Sequence, residues 1–246
     1  MSRKKIIWIS FSVVLMLIIG FMAPIASRLP IAQADRIDGK NLVGIDAGGS
    51  FTWVIPTQTG VALIDSGWDS DAKALKEEIG DRKVHAILIT HGHFDHTGGL
   101  PFFPDAVVYI APGEGPLLKG EAKAKGWMAR MSTFMMSPQP YSPRHLKEFK
   151  DGDVIEIDGE QFKAIHMPGH TQGSAMYLWK DVLFTGDTIV GRGGYVNEIP
   201  KPTYADYNAV RGNVSQVLVY PFDRIADGHV GLHMNAYQQV KVYLEE

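Results

Sequence analysis

Apolar residues in the body of the chain, residues 35–246, fall in short runs separated by glycine, a pattern typical of β-strands. Two of these runs, VHAILIT (84–90) and AVVYIAP (106–112), are apolar without alternation. An apolar run of this length predicts a strand that is buried on both faces, as in a parallel sheet covered by helices.

Two further stretches predict β-hairpins. DGDVIEIDGEQFKAIHMPG (151–169) has two strand-like runs with Gly159 at the turn. SAMYLWKDVLFTGD (174–187) repeats the arrangement and turns near Lys180 and Asp181. The chain therefore carries a second batch of strands after the first.

Helices are predicted between and after these strands. DSDAKALKEEIG (69–80) has a capping aspartate, good helix formers and a closing glycine. The stretch 224–246 predicts a strand, a loop and a final helix. Strands in two batches, each followed by helical segments, predict an α+β fold with two sheets and helices outside them.

Two stretches fit no strand. Residues 115–143 have a helical centre rich in methionine, and residues 190–207 form a loop marked by glycine and proline. Both follow strands, so both could line a pocket. The methionines fit two interpretations, a lid over a substrate or filler in a core.

Composition fits a globular body of one large domain or two small ones, since 45% of the 246 residues are hydrophobic. Cysteine is absent, which excludes disulfides, cysteine nucleophiles and thiolate metal ligands. Residues 35–246 carry 20 basic and 27 acidic side chains, a formal charge of −7. This balance argues against nucleic acid as a partner.

The first 34 residues predict a targeting segment. Basic residues at positions 3–5 precede an apolar stretch from Ile6 to Met22, and Ala32-Gln33-Ala34 resembles a cleavage site. The segment fits a cleaved signal peptide or an uncleaved membrane anchor, and both place residues 35–246 outside the cytoplasm, secreted or anchored. The alternative is a buried helix of the globular domain.

The densest group of possible metal-binding side chains lies in ITHGHFDHTGG (89–99), which holds three histidines and an aspartate within six positions. His91 and His93 are two residues apart and project to the same side of an extended segment. Asp95 and His96 follow where the chain turns. One short loop could therefore serve two metal positions, whereas the alternative is a solvated polar loop.

Three further ligand-type residues are flanked by glycine at strand ends. They are His170 in MPGHTQGS, Asp187 in LFTGDTIV and His229 in IADGHVG. Small neighbours let the backbone come close to an ion. Each signal is weak alone, but together with the histidine-rich loop they predict a metal centre.

This ordered set of motifs resembles the metallo-β-lactamase superfamily, over about Val43 to Tyr243. The resemblance implies a four-layer αββα sandwich with the site at one edge, between the sheets. It also implies a first metal on His91, His93 and His170, a second on Asp95, His96 and His229, and Asp187 as the bridge. Asp65, in IDSG, would support a ligand from behind.

Nitrogen and carboxylate donors without thiolate agree with two Zn²⁺ ions per chain. In such a site the ions activate a shared hydroxide and polarise the scissile carbonyl or phosphoryl oxygen. Asp95 would be catalytic, orienting that hydroxide and relaying its proton. Four other histidines match no motif and are interpreted as structural or solvated: His85, His145, His166 and His233.

Asp187 indicates the branch of the superfamily to which the chain is similar. It resembles the bridging residue of glyoxalase II-like thioesterases, lactonases and general hydrolases rather than that of true β-lactamases. The sequence departs from two of these groups. We expect no counterpart of the helical carboxyl-terminal domain of glyoxalase II within these 246 residues. Val190 stands where lactonases have a tyrosine, and Tyr195 is a candidate substitute.

We therefore expect a dinuclear zinc hydrolase acting on a small ester, lactone, thioester or β-lactam-like amide. The alternatives are a persulfide dioxygenase, which would hold a single iron on two histidines and one aspartate, and a phosphodiesterase of the same fold. A non-catalytic binding protein is a further alternative, which the complete ligand set disfavours.

Overall fold

The computed structural model describes residues 32, 34–192 and 194–245. The predicted signal peptide or anchor is residues 1–34, and its apolar stretch, residues 6–22, lies outside the described residues. Among the residues described, no helix has the length and apolar character needed to cross a membrane.

The first sheet has seven strands that lie side by side in chain order. Strands β1 to β4 are antiparallel, whereas β4 to β7 run parallel. The strands are β1 Arg36–Gly39, β2 Leu42–Asp46, β3 Phe51–Pro56, β4 Gly60–Ile64, β5 Lys83–Leu88, β6 Val107–Ile110 and β7 Leu146–Glu148.

The second half of the chain contributes β8 Val154–Ile157, β9 Glu160–His166, β10 Ala175–Trp179, β11 Val182–Gly186, β12 Val190–Arg192, β13 Tyr195–Asn197, β14 Arg224–Asp227 and β15 Leu232–His233. Six of them form a second sheet in the order β15-β14-β11-β10-β9-β8, and β12 pairs with β13 as a separate hairpin. Within the second sheet only β11 and β14 are parallel neighbours.

The described helices are short. They are α1 Lys73–Ile79, α2 Phe94–Thr97, α3 Gly115–Leu118, α4 Trp127–Met136, α5 Tyr207–Asn213 and α6 Ala236–Glu245. Short 3₁₀ helices occur at Leu100–Phe102, Lys201–Thr203 and Val214–Val219.

Three apolar cores order these elements into layers. The central core lies between the sheets, where Trp53 and Leu88 of the first sheet meet Phe184 of the second. A second core lies between the first sheet and α1, and a third packs α5 and α6 on the second sheet. Burying each large side chain stabilises the fold by about 1.5–3 kcal/mol. The architecture is the expected αββα sandwich.

The buried strands and both hairpins are confirmed, with Gly159 at φ +85° in the first turn and Lys180 between β10 and β11. The expectation that residues 190–207 hold no strand is wrong, because β12 and β13 pair there. Each strand has only three residues, and glycines interrupt the apolar pattern, so the sequence signal is weak.

Helix α1 also differs at its start. Its N-cap residue is Ala72, in the left-handed region, and not an aspartate. Asp71 nevertheless accepts a hydrogen bond from the backbone N–H of Lys73 at 3.0 Å, so an aspartate does satisfy a free donor of the first turn.

Candidate metal centre

Every predicted ligand follows the carboxyl end of a strand. In the first sheet the parallel strands β4, β5 and β6 end at one edge, and the loop after β5 carries His91, His93, Asp95 and His96. In the second sheet β9, β11 and β14 all run in one direction, because β9 and β11 are both antiparallel to β10. Their ends carry the remaining ligands, His170, Asp187 and His229.

The two sheets are tied together beside these loops. The amide of Ala175 donates to the carbonyl of Thr90 at 2.8 Å, and the hydroxyl of Tyr177 donates to the carbonyl of Ile89 at 2.8 Å. Burial holds the pKa of Tyr177 well above its usual value of 10, so this hydroxyl keeps its proton. The loops from both sheets therefore meet in a fixed register.

Three imidazoles form the first ligand set. Nε2 of His91 lies 3.0 Å from Nδ1 of His93, and Nε2 of His170 lies 3.2 Å and 3.0 Å from these two nitrogens. The edges of a tetrahedral zinc–nitrogen site are about 3.3 Å long. The triangle of nitrogens thus has nearly the dimensions of one face of such a site.

The second set is formed by Asp95, His96 and His229, whose ligand atoms lie within 4.8 Å of one another. Nε2 of His96 and Nε2 of His229 each lie 3.8 Å from Oδ2 of Asp95. The side chain of Asp95 is 27% exposed, whereas that of His96 is fully buried. Asp95 therefore faces the open side of the centre.

Asp187 lies between the two sets. Its Oδ2 lies 3.0 Å from Nε2 of His229 and 3.5 Å from Nε2 of His170. Its Oδ1 lies 3.2 Å from Nε2 of His96. One carboxylate thus contacts histidines of both sets.

The two sets differ in charge. Burial lowers the pKa of His91 and His170 well below 6.5, and it lowers the pKa of His93 as well, so these rings are neutral. Burial also opposes charge on His96 and His229, but the neighbouring carboxylates, of which Asp187 acts most strongly, together outweigh it. The pKa of His96 is raised well above 6.5, and that of His229 is raised to about 9.

The same charges act on Asp187. Burial opposes its ionised form, yet His229 and His96 hold the pKa of its carboxyl well below the usual value of 3.8. Without metal, protons on the second set thus supply the positive charge that the carboxylates require. A metal ion must displace those protons, so its apparent affinity should rise as the pH rises toward 9.

Unsatisfied polar atoms support a cation at this place. Among the described residues, His96 Nε2 and Asp187 Oδ1 are buried and lie 3.2 Å apart without the alignment of a hydrogen bond. Buried polar atoms are rarely left without a partner. A cation between the two sets would satisfy both atoms, and the nitrogen and oxygen donors suit zinc or another first-row divalent metal.

The carboxylate of Asp65 lies behind the ring of His96. Its Oδ2 lies 2.8 Å from Nδ1 of His96, and its carboxylate accepts from the N–H and the hydroxyl of Thr90 at 2.8 Å and 2.7 Å. Asp65 itself sits in the left-handed region at φ 59°, just after β4. The contact leaves Nε2 of His96 directed at the centre.

Asp227 holds the His229 loop in a similar way. Its fully buried carboxylate accepts from the amides of His229, Val230 and Gly231 at 2.6–3.1 Å, and from that of Gly191 at 2.6 Å. It also pairs with Nε2 of His233 at 2.7 Å.

The four histidines that match no motif lie outside the centre. This agrees with their interpretation as structural or solvated residues. His233 is buried against Asp227 and has a structural role. His85 lies 3.0 Å from Oγ1 of Thr59. His145 is exposed, and His166 is half-buried at the end of β9.

Glu114 is a functional candidate that the sequence analysis missed. This glutamate is buried and accepts from Gly92, between His91 and His93, and from Gly173, near His170, each at 2.6 Å. It thus ties together the two loops that carry the first ligand set. The only sequence signal is a charged residue between glycines after a buried strand.

Glycines allow the close approach of the loops, as predicted. A Cβ on Gly228 would lie 2.6 Å from Oδ1 of Asp187 and 2.8 Å from Cε1 of His96. A Cβ on Gly186 would lie 2.5 Å from Oγ1 of Thr90. Any larger residue at either position would push a ligand loop away from the centre.

The tyrosine beside the centre is not the one that the sequence suggested. Tyr195 is 67% exposed on β13, whereas Tyr204 is buried with its ring 5.6 Å from that of His170. The hydroxyl of Tyr204 accepts from the amide of Ile199 and donates to the carbonyl of Thr188. Burial also raises its pKa well above 10, so Tyr204 packs against a ligand and is not available as an acid or base.

We expect Glu114→Gln to weaken metal binding by about 10–100-fold, because its amide would place a donor against one of the two backbone donors. Chelator competition on the purified chain measures this change. Glu156→Gln, at an exposed position of β8, is the matched control and should retain wild-type affinity. Equal affinities in the two variants would exclude this role for Glu114.

A model of the metallo-beta-lactamase superfamily matches residues 45–237. The hydroxyacylglutathione hydrolase of Aeromonas hydrophila is 29% identical over 179 residues, which are 70% of this chain and 59% of that protein. The human acyl-coenzyme A thioesterase MBLAC2 is 33% identical over 156 residues, 59% of this chain and 54% of that protein. The chain thus spans little more than half the length of these relatives.

A solved structure shares the fold. It is that of ST1585 from Sulfolobus tokodaii, described as an archaeal metallo-beta-lactamase superfamily protein. The match has a TM-score of 0.65 at 20% identity and covers 85% of this chain and 86% of that one. Given the superfamily match over residues 45–237 and this shared architecture, the chain belongs to the metallo-β-lactamase superfamily.

Proposed function

We propose that the chain is a dinuclear zinc hydrolase of small acyl thioesters or esters. The observation that carries the proposal is the position of Asp187, whose two oxygens contact ligands of both sets. A site for one ion would not need a carboxylate at that position together with all six other ligands. The names of two relatives, a hydroxyacylglutathione hydrolase and an acyl-coenzyme A thioesterase, support a thioester among the substrates.

In this proposal the first ion is held by His91, His93 and His170, and the second by Asp95, His96 and His229. Asp187 serves both. When bound, the zinc ions supply a Lewis acid for the acyl carbonyl and lower the pKa of water.

The side chains of the protein have separate roles in hydrolysis. Asp95 lies at the partly exposed side and accepts a proton from the attacking water. The water oxygen bonds to the acyl carbon, the bond from that carbon to sulfur or oxygen breaks, and the leaving group takes up a proton. The carbonyl of Asp95 accepts from the hydroxyl of Ser50, which fixes the backbone at that position.

Metal analysis combined with a hydrolysis screen tests this function. We expect about two zinc ions per purified chain and cleavage of an acyl thioester or a p-nitrophenyl ester. Asp187→Asn should lose at least one ion and lower kcat/KM at least about a hundredfold, since ligands contribute more than the groups behind them. His145→Ala, at an exposed histidine, is the control and should retain both ions.

Other outcomes would overturn the proposal. One iron per chain without hydrolysis would favour the persulfide dioxygenase. Two ions with cleavage of a phosphodiester alone would favour the phosphodiesterase. A protein that binds both ions and cleaves no thioester, ester, lactone or chromogenic cephalosporin would contradict a hydrolase of acyl substrates.

We also propose that this hydrolase works outside the cytoplasm. The proposal is supported by the basic residues and the apolar stretch within residues 1–34. Mass spectrometry of the exported protein tests it, with a mature terminus at Asp35 expected for a cleaved signal and an intact Met1 for an anchor. A full-length chain found only in the soluble cytoplasmic fraction would contradict both.

A further inference from the structure

A cavity of ≈ 1090 Å³ lies between the metal centre and α4. His93 lines the cavity at the metal centre. Binding sites for small molecules usually measure about 300–1,000 Å³, so this one is large. Its floor is formed by α2 and the 3₁₀ turn that follows, and α4 with the chain to Tyr141 forms its other side. A substrate at the centre has space on this side.

Most of the cavity wall is apolar. The rings of Trp68 and Phe94 meet edge to face with centroids 4.8 Å apart, and both line the cavity. Leu118 and Ala124 are buried at its wall, and Phe102 lies at the floor. Burying a hydrocarbon chain against such a surface strengthens binding, about fourfold for each methylene group.

Helix α4 does not fit the interpretation of its methionines as core filler. Met131, Met135 and Met136 are 37%, 70% and 45% exposed, and Phe134 is 84% exposed. Met131 and Phe134 both line the cavity. An apolar helix that is partly exposed beside a cavity is suited to contact an apolar ligand.

Two cations add a polar part to this surface. Lys123 and Arg130 line the cavity, and both side chains are exposed. Asp69 is the carboxylate in the lining. Residues 115–143 carry four basic side chains and one acidic one, Glu121, whereas residues 35–246 as a whole have a formal charge of −7.

We propose that this cavity binds the hydrocarbon chain of an acyl thioester or ester, while Lys123 and Arg130 bind an anionic group of the same substrate. The inference rests on the proposed hydrolase and narrows its substrate to an anionic amphiphile. Hydrolysis of that substrate follows the balance given above and yields the free acid together with the thiol or alcohol.

The first test is a series of coenzyme A thioesters with acyl chains of two to twelve carbons. We expect kcat/KM to rise at least about a hundredfold from acetyl to dodecanoyl, as methylene groups become buried. Ala122→Trp places a large side chain at the cavity wall, and it should lower the ratio of dodecanoyl to acetyl kcat/KM at least about tenfold. Glu121→Trp, at an exposed neighbour outside the lining, should retain the wild-type ratio.

The second test concerns the charges. In Lys123→Gln/Arg130→Gln, KM for dodecanoyl-coenzyme A should rise about tenfold relative to KM for the uncharged p-nitrophenyl dodecanoate, as expected for losing the contacts of two exposed charges. Lys125→Gln removes an exposed charge that does not line the cavity and should leave the ratio of the two KM values unchanged.

Calorimetric binding of S-dodecyl-coenzyme A, a thioether that cannot be hydrolysed, separates this inference from the proposed function. Binding that Ala122→Trp and the double variant each weaken supports the cavity site even in a protein without hydrolytic activity. Equal kcat/KM for acetyl and dodecanoyl thioesters, or binding that neither variant changes, would overturn the inference while leaving the hydrolase in place.

Discussion

Inside this protein, three imidazole nitrogens lie 3.0–3.2 Å apart, and a buried carboxylate lies against the next pair of imidazoles. Burying such a cluster in a low-dielectric interior costs free energy unless positive charge lies among its nitrogen and oxygen atoms. Protons on His96 and His229 supply that charge in the absence of metal, and a cation would supply it better because it can contact both sets. The loops at this edge of the sandwich are arranged to keep the cluster together.

Three buried carboxylates stabilise that arrangement. Asp65 holds the ring of His96, Asp227 holds the turn that carries His229, and Glu114 joins the loops of His93 and His170. Each carboxylate accepts hydrogen bonds from backbone amides that would otherwise be unsatisfied. Each therefore stabilises its loop and also orients a candidate ligand. The chemistry of the site and the local stability of its loops therefore depend on the same contacts.

Much of this could be predicted from the sequence, because the signals were local. Buried strands such as VHAILIT have a distinct pattern, and the ligands follow strand ends within a few residues. Glu114 could not be found in that way, since its partners lie 22 and 59 residues away on different loops. The hairpin of β12 and β13 was missed because three-residue strands have too little pattern. The cavity depends on where α4 lies relative to α2, which no local signal encodes.

The central claim is that these seven side chains form one centre for two metal ions, with Asp187 between them. Anomalous X-ray diffraction at the zinc edge, from crystals of the zinc-loaded protein, measures this directly. We predict two peaks about 3.5–4 Å apart, one beside His91, His93 and His170 and one beside Asp95, His96 and His229, with Asp187 in contact with both. A single peak on the first set, with Asp187 turned away from it, would contradict the account.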